Sequence, residues 1–357
     1  MPTDPAMPRV LAMPRGPGRP VRWSLLTPGS VPAAIGVIGL FAGDGSATGQ
    51  ADLDATLDRL GVGTVQPGEM RLREIAGVDT GLVVRWDPTR ADLFPHGGPA
   101  VVRAIIDRLS ELGLAEDRQP DPRATYPEAE SEIEARMLEA LSRAASPRAV
   151  DLLLDQPRRW GEKPPRGLGP ERLAPECLGR LIHPPLVVAI GAPNIGKSSL
   201  ANALAGRAAA LVADEPGTTR DHVGLSLELD GLVVRYLDTP GIDSAQPAPH
   251  HQPDPLTAQA SARAMDLAQT ADLVLLCADA LCADAAGPEH AKEAPGGVRS
   301  LRVWLRADLA GEGSGEGLWT SASTGLGLGE LAGAVRRALV PDEALGDPRP
   351  WRFWQRA

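Results

Sequence analysis

The sequence predicts an α/β fold in which a mostly parallel sheet, with helices on both faces, follows a small α+β domain and a short helical segment. Strand and helix patterns alternate from residue 186 to residue 340, as they do in parallel sheets. A glycine-rich loop joins the first of these strands to a helix. A Pro- and Gly-rich stretch, residues 157–185, separates this part from what precedes it and predicts a linker.

The chain has 357 residues, enough for about two domains. Residues 1–24 are rich in Pro and Arg, lack an apolar period and predict a disordered leader. Residues 25–117 mix short apolar runs with one helix that starts after Gly-Gly-Pro, and they predict a small α+β domain. Residues 118–182 predict one or two helices, interrupted at Pro147, and the linker.

Residues 183–341 predict the α/β domain itself, and residues 342–357 predict a short irregular tail. The expected strands are 186–191, 272–279 and 300–306, with two more that flank the turn residues Asp230 and Gly231, and the expected helices are 198–206, 257–270 and 328–340.

Composition excludes several classes of protein. The longest apolar stretches, near 31–41 and 186–192, are far shorter than a membrane helix requires, so no membrane partner is expected. The prolines near the N-terminus interrupt any secretory signal. Three cysteines without paired spacing predict neither disulfides nor a zinc site, which is typical of a cytoplasmic protein. A net charge of −10 argues against coating nucleic acid through bulk charge.

The segment GAPNIGKS at residues 191–198 has the pattern of a phosphate-binding loop between a strand and a helix. Gly191 and Gly196 allow backbone N–H groups to surround phosphate oxygens. Lys197, one of only three lysines in the chain, supplies a cation for the β- and γ-phosphates, and the Ser198 hydroxyl is a ligand for Mg²⁺.

Two downstream segments favour a nucleotide switch. In DTPG, residues 238–241, Asp238 is placed to hold magnesium through water and the Gly241 N–H to contact a γ-phosphate. The hydroxyl-rich PGTTRD, residues 216–221, lies where a switch needs a threonine for the metal.

These residues together resemble the GTPase domain of TrmE/MnmE-type tRNA-modification GTPases, within the TrmE–Era–EngA class. The P-N-x-G-K-S loop, the G-T-T-R-D string and DTPG carry the resemblance over residues 183–341. It implies a P-loop GTPase that binds GTP and GDP with Mg²⁺. The implied nucleotide-binding residues are Gly191, Asn194, Ile195, Gly196, Lys197, Ser198, Ser199, Thr218, Thr219, Asp238, Gly241, Asp308, Ser321 and Ala322.

The resemblance also implies metal ligands. Ser198 and Thr219 correspond to the Mg²⁺ ligands, and Asn194 to the residue that binds a K⁺ ion in place of an arginine finger; Thr218 belongs to the loop that encloses this ion. The alternative for Asn194 is that it only braces the turn.

A weaker resemblance covers the first domain. The segment FPHGGPAVVRAIIDRL, residues 94–109, is similar to a helix start in the family's N-terminal domain, which forms a homodimer and binds a folate derivative. His96, Gly97 and Gly98 are the matching residues, and the alternative for His96 is a helix cap. The function of this family also implies a partner protein in tRNA modification.

Three departures limit the transfer of function. The sequence has no cysteine after Cys282, so the family's C-terminal Cys-x-Gly-Lys motif is not found. Leu305 and Arg306 replace the Asn and Lys of the guanine-recognising N-K-x-D, although Asp308 remains, and Ser321 and Ala322 match the element that recognises guanine O6. Thr257 stands where the family has a catalytic glutamate, which predicts slow hydrolysis.

Three functions therefore stay open. The first is a slow, potassium-assisted GTPase related to wobble-uridine modification of tRNA. The second is a ribosome-assembly GTPase of the Era/EngA kind. The third is a non-catalytic relative that binds nucleotide and acts through protein partners.

Overall fold

Two six-stranded sheets organise the chain, one in each of the two units into which it divides, Met1–Thr125 and Tyr126–Ala357. The structure is a computed structural model. It describes residues 21–27, 33–43, 47–118, 120–161, 170–207, 224–239, 265–282, 294–310 and 315–354. None of the helices in these ranges is long and apolar enough to cross a membrane.

The first unit is a six-stranded sheet with the order β3-β4-β5-β2-β1-β6. Its pairs are antiparallel except for the parallel pair β1 and β6. The strands are β1 (Arg22–Leu25), β2 (Ile38–Phe41), β3 (Met70–Ile75), β4 (Asp79–Asp87), β5 (Arg90–Phe94) and β6 (Ala115–Glu116), and the helices are α1 (Ala47–Arg59), α2 (Pro99–Glu111) and α3 (Pro122–Thr125).

The core of the first unit lies between the sheet and helices α1 and α2. Ile38 and Leu93 from the sheet, Leu57 from α1 and Ile105 from α2 are all buried in it. Trp23 is buried there too, so the predicted leader is wrong for residues 21–24. The apolar side chains of Val21 and Trp23 are buried in the core, which stabilises strand β1.

The second unit contains a six-stranded sheet with the order β12-β11-β10-β7-β9-β8. All pairs are parallel except the hairpin β8–β9. The strands are β7 (Leu186–Ile190), β8 (Gly224–Leu229), β9 (Leu232–Asp238), β10 (Leu273–Asp279), β11 (Ser300–Leu305) and β12 (Leu318–Trp319), and the helices are α4 (Glu132–Arg143), α5 (Arg148–Leu154), α6 (Gln156–Trp160), α7 (Lys197–Arg207), α8 (Leu328–Leu339) and α9 (Asp342–Leu345).

Helices cover both faces of this sheet. One core includes Leu200 of α7 and Leu331 of α8, and the other includes Ala268 in the helical residues 265–270. The predicted mostly parallel sheet with helices on both faces is confirmed. Residues 257–264 of the predicted helix lie outside the described residues.

Two segments predicted to be irregular contain regular elements in their described residues. The predicted linker contains α6 and a 3₁₀ helix, Glu176–Leu181, and Leu181 is fully buried. The predicted irregular tail contains α9, followed by the buried Trp351 and Phe353. The Trp160 indole N–H donates to the Trp351 carbonyl oxygen over 2.9 Å. Contacts between residues far apart in the sequence therefore hold the described parts of both segments in place.

Candidate nucleotide-binding site

The glycine-rich loop leaves the end of β7 and leads into α7. A Cβ on Gly191 would lie 2.2 Å from the Cys277 carbonyl oxygen, so only glycine fits beside strand β10. Asn194 and Gly196 have φ angles of 62° and 105°, which curl the backbone, and Asn tolerates this conformation better than most residues. Ile195 is buried and anchors the loop in the core. The result is the strand, curled loop and helix that phosphate binding requires.

Lys197, the first residue of α7, turns its side chain back onto this loop. Its ammonium donates to the carbonyl oxygens of Gly191 and Ala192 over 3.0 and 2.7 Å. The residue is 6% exposed. Burial lowers the pKa of the Lys197 ammonium, while the neighbouring Cys277 and Asp238 act in the opposite direction. A phosphate in the loop would replace part of the lost hydration of this cation.

Ser198 and Asp238 meet where α7 begins and β9 ends. The Ser198 hydroxyl donates to Asp238 Oδ2. Asp238 Oδ1 is buried and has no hydrogen-bond partner among the described residues. The next residue, Thr239, fixes the chain by donating to the Ala189 carbonyl oxygen over 2.7 Å.

This arrangement fits a hard cation. A hydroxyl and a carboxylate are oxygen ligands of the kind Mg²⁺ prefers, and an unpaired buried carboxylate oxygen is costly without a positive partner. Within the described parts of the chain, no group of three or more His, Cys, Asp or Glu side chains is arranged to hold a metal by itself. A cation here would therefore share its coordination with the phosphates and water.

The residues predicted to recognise the base lie after β11 and β12. Asp308 is exposed, and its carboxylate accepts from the Ser323 hydroxyl over 3.0 Å. Ser321 is fully buried, with its hydroxyl 2.9 Å from that of Ser323. Hydrogen bonds from Ser321 and then Ser323 lower the pKa of Asp308. The carboxylate is thus charged and exposed, and it is chemically suited to accept the two N–H groups of a guanine edge. Ala322 is half-buried between the two serines.

Arg306 has a partner that sequence reasoning did not identify. Its Nε donates to Asp279 Oδ1 over 3.1 Å, and the guanidinium and carboxylate form an ion pair. Asp279 ends β10, which runs parallel to β11. Carboxyl ends of neighbouring parallel strands meet at one sheet edge, so the aspartate after the apolar run of β10 indicates a polar side chain at this edge but does not identify its partner.

Parallel strands bring the described candidates together. The phosphate loop, Asp238, Asp279 and Arg306 lie at or directly after the carboxyl ends of β7, β9, β10 and β11, the usual ligand edge of such a sheet. Ser199 is exposed on the first turn of α7. The predicted residues Thr218, Thr219, Gly241 and Thr257 lie outside the described residues.

The three candidates of the first domain lie at the start of α2. The His96 backbone N–H donates to Asp79 Oδ2 over 2.8 Å, and its Nδ1 is 3.0 Å from the same carboxylate. A Cβ on Gly97 would lie 2.2 Å from the Ala33 carbonyl oxygen, and Gly98 precedes the first residue of α2. The His96 ring binds Asp79 and makes no helix cap, since Gly98 is the N-terminal cap.

Comparison with known proteins identifies the family. A family model described as 50S ribosome-binding GTPase matches residues 186–301. The chain is 42% identical over 151 residues to the tRNA modification GTPase MnmE of Acidiphilium cryptum, a match that covers 42% of this chain and 32% of that protein. It is 31% identical over 315 residues to the MnmE of Azorhizobium caulinodans, and this match covers 73% of this chain and 69% of the relative. The chain belongs to the MnmE family of tRNA modification GTPases.

Membership of the MnmE family confirms the predicted P-loop GTPase domain, and the chain is a GTP-binding protein. The match spans about a third of the Acidiphilium relative and about two thirds of the Azorhizobium one. Among solved structures, Era of Aquifex aeolicus is 25% identical, with a TM-score of 0.33 over 43% of this chain and 56% of that chain.

Proposed function

We propose that this MnmE-family chain hydrolyses GTP to GDP and phosphate, slowly and with K⁺ assistance, at the edge formed by the phosphate loop and Asp238. The observation that carries the proposal is the juxtaposition of Lys197, Ser198 and Asp238. It combines a buried cation, a hydroxyl and a carboxylate with one unpaired oxygen at the mouth of a glycine loop.

Each group has a chemical task in this proposal. A water oxygen bonds to the γ-phosphorus while the bond from that phosphorus to the bridging oxygen breaks, so negative charge moves toward GDP. The Lys197 ammonium stabilises this charge. Ser198 and Asp238 would hold Mg²⁺, which supplies charge neutralisation when bound. Thr219 is proposed as a further ligand, and Thr218 and Gly241 as nucleotide contacts.

Two residues set the proposed rate. Thr257 occupies the place of the family's catalytic glutamate, and a threonine is a much poorer group for orienting a water molecule. Asn194 is exposed on the curled loop, where its amide oxygen is available to a K⁺ ion. The competing role for Asn194 is to tolerate the left-handed backbone, and the experiment below separates the two.

Base recognition supports guanine over adenine. Asp308 presents a charged carboxylate braced by Ser323, and such a group pairs with the N1 and N2 donors of guanine but repels the N1 acceptor of adenine. Leu305, in the place of the family's asparagine, is buried and offers no hydrogen bond, so we expect a weaker preference than a complete N-K-x-D gives.

The wider role proposed is in tRNA modification in the cytoplasm, with a partner protein and a homodimer formed through the first unit. Strands β3 and β4, at one edge of its sheet, support the dimer. Met70, Leu72 and Trp86 lie on one face of these strands and are 60%, 62% and 48% exposed. Large apolar groups on one face mark association surfaces. A folate derivative near His96, Gly97 and Gly98 remains part of this proposal.

Phosphate release from GTP, measured with K⁺ or Na⁺ as the sole monovalent cation, tests the proposal. We expect turnover that is several-fold faster in K⁺ and a loss of this difference in Asn194→Ala. Equal rates in both salts would remove the role of K⁺. Binding without any turnover would make the chain a non-catalytic GTP-binding relative.

A further inference from the structure

Asp279 holds Arg306 by two points of contact. Arg306 has a φ angle of 62°, a conformation that turns its side chain out of the line of β11. The guanidinium then meets Asp279, whose carboxylate is only 12% exposed. Asp279 Oδ1 also accepts from the Leu281 backbone N–H over 3.1 Å. The carboxylate is therefore held by its own turn as well as by the arginine.

The aliphatic part of Arg306 lies against the phosphate loop. Its Cγ is 4.0 Å from the position that a Cβ on Gly196 would take, which is ordinary van der Waals contact distance. The side chain is 39% exposed, so part of its surface is accessible to a ligand, and Asp308 follows it closely in the chain. A flat, weakly hydrated guanidinium and its carbon stem stack well on planar rings.

We propose that Asp279 is a positioning residue for nucleotide binding: it fixes Arg306 so that this side chain forms a wall for the purine ring beside Asp308. The inference rests on the proposed nucleotide site and adds the residue that orients its base-binding side. It also explains how a chain with Leu305 in place of a hydrogen-bonding asparagine retains a defined place for the base.

A purely structural ion pair makes a different prediction. If Asp279 and Arg306 only stabilised the fold, removing the pair would lower the melting temperature and weaken the binding of every ligand of the phosphate loop. If Asp279 acts through Arg306 on the base, a ligand without a base is unaffected. GDP and inorganic pyrophosphate form the pair of probes that separates these cases.

The experiment measures dissociation constants for GDP and pyrophosphate by isothermal titration calorimetry in Mg²⁺. Asp279→Asn keeps an acceptor for the Leu281 N–H and removes the charge that holds Arg306. We expect GDP to bind about fivefold more weakly and pyrophosphate to bind unchanged. Arg306→Ala should weaken GDP binding about tenfold. The double variant should bind GDP no more weakly than Arg306→Ala alone.

Asp155→Asn is the matched control, because Asp155 also binds arginine side chains, Arg158 and Arg159, but lies on the helical segment. The GDP affinity of Asp155→Asn should match that of the unmodified chain. An unchanged GDP affinity in Asp279→Asn, or an equal loss for both ligands, overturns the inference alone. No GDP binding by the unmodified chain overturns the proposed function and the inference together. Should Asp279→Asn fail to fold, Arg306→Ala still decides the role of the wall, since unchanged GDP binding there contradicts it.

Discussion

The Ser198 hydroxyl donates a hydrogen bond to Asp238 Oδ2, which joins the first turn of α7 to the end of β9. The two residues are 40 positions apart in the sequence. The Ser198 hydroxyl donates its proton to Asp238 Oδ2, and Asp238 Oδ1 has no hydrogen-bond partner among the described residues. A cation bound by both residues would replace this hydrogen bond. The geometry thus links the phosphate loop to the end of strand β9.

Removing the hydroxyl should separate metal-dependent from metal-independent binding. We expect Ser198→Ala to weaken GDP about tenfold in Mg²⁺ and to have little effect in EDTA, because the variant loses a ligand of the cation. Fluorescence titration with a GDP analogue measures both. Thr270→Ala is the control, since this hydroxyl donates to the Leu267 carbonyl oxygen within its own helix. Equal losses with and without Mg²⁺ would contradict a metal role for Ser198.

Gly191→Ala should damage both the fold and the site. The new Cβ would meet the Cys277 carbonyl oxygen at 2.2 Å, so β7 and β10 must separate. We expect a loss of about 2 kcal/mol or more in the free energy of unfolding, measured by urea denaturation, together with weaker GDP binding. Gly206→Ala, in α7 with open space around it, should instead raise stability by about 0.5 kcal/mol. A neutral Gly191→Ala would show that the loop is not constrained as described.

Asp230 connects two arginines at the turn between β8 and β9. It binds Arg148 over 2.7 Å and Arg336 over 2.9 Å, and Arg336 is 5% exposed. We expect Asp230→Asn, which tolerates the same left-handed turn, to lower stability by about 1–2 kcal/mol. Glu111→Gln, which breaks an exposed pair with Arg108, should change stability by less than about 0.5 kcal/mol.

The stability provided by Asp230 should also depend on pH. Burial raises its pKa, but hydrogen bonds from Arg336 and Arg148 outweigh burial and leave it lowered. A carboxylate with a lower pKa in the folded state stabilises fully above its unfolded pKa, near 4, and loses this effect as pH falls through the folded value. Urea denaturation at pH 7 and below pH 4 should show that the difference in stability between the unmodified chain and Asp230→Asn becomes smaller in acid. A difference that grows in acid would contradict this assignment.

The three cysteines should react in a defined order. Cys282 is exposed, Cys177 is half-buried and Cys277 is buried. Burial raises the pKa of the Cys277 thiol to about 12, and burial also raises that of Cys177. Only thiolates react with iodoacetamide, so at pH 8 we expect Cys282 to be modified first and Cys277 only after unfolding. Mass spectrometry of timed samples checks this order, and labelling of Cys277 as fast as Cys282 would contradict its buried position.

Local patterns in the sequence predict much of the second unit. The glycine loop, Lys197 and the Asp230 turn depend on neighbouring residues, and each is found where its motif indicates. Pro147 likewise separates α4 from α5. The contact of Asp279 with Arg306 was not predicted, because it depends on the order of the strands in the sheet, which no local pattern reveals.

Order in the linker and the tail was also missed, for a related reason. The Trp351 backbone N–H donates to Gln156 Oε1 over 2.8 Å, across 195 positions of sequence. Proline and glycine correctly exclude long helices there, but they say nothing about distant partners that fix an irregular backbone. Trp23 in the predicted leader is the same case, because its burial depends on strands that follow much later.

Equilibrium titration of the unmodified chain and of Lys197→Ala with fluorescent GDP and ADP analogues in Mg²⁺ tests the central claim most directly. The account predicts that the unmodified chain binds GDP more tightly than ADP and that Lys197→Ala loses GDP affinity by about a hundredfold or more, since a buried charge-assisted contact with phosphate is removed. Equal affinity of Lys197→Ala and the unmodified chain for GDP would contradict the claim that this loop holds the nucleotide.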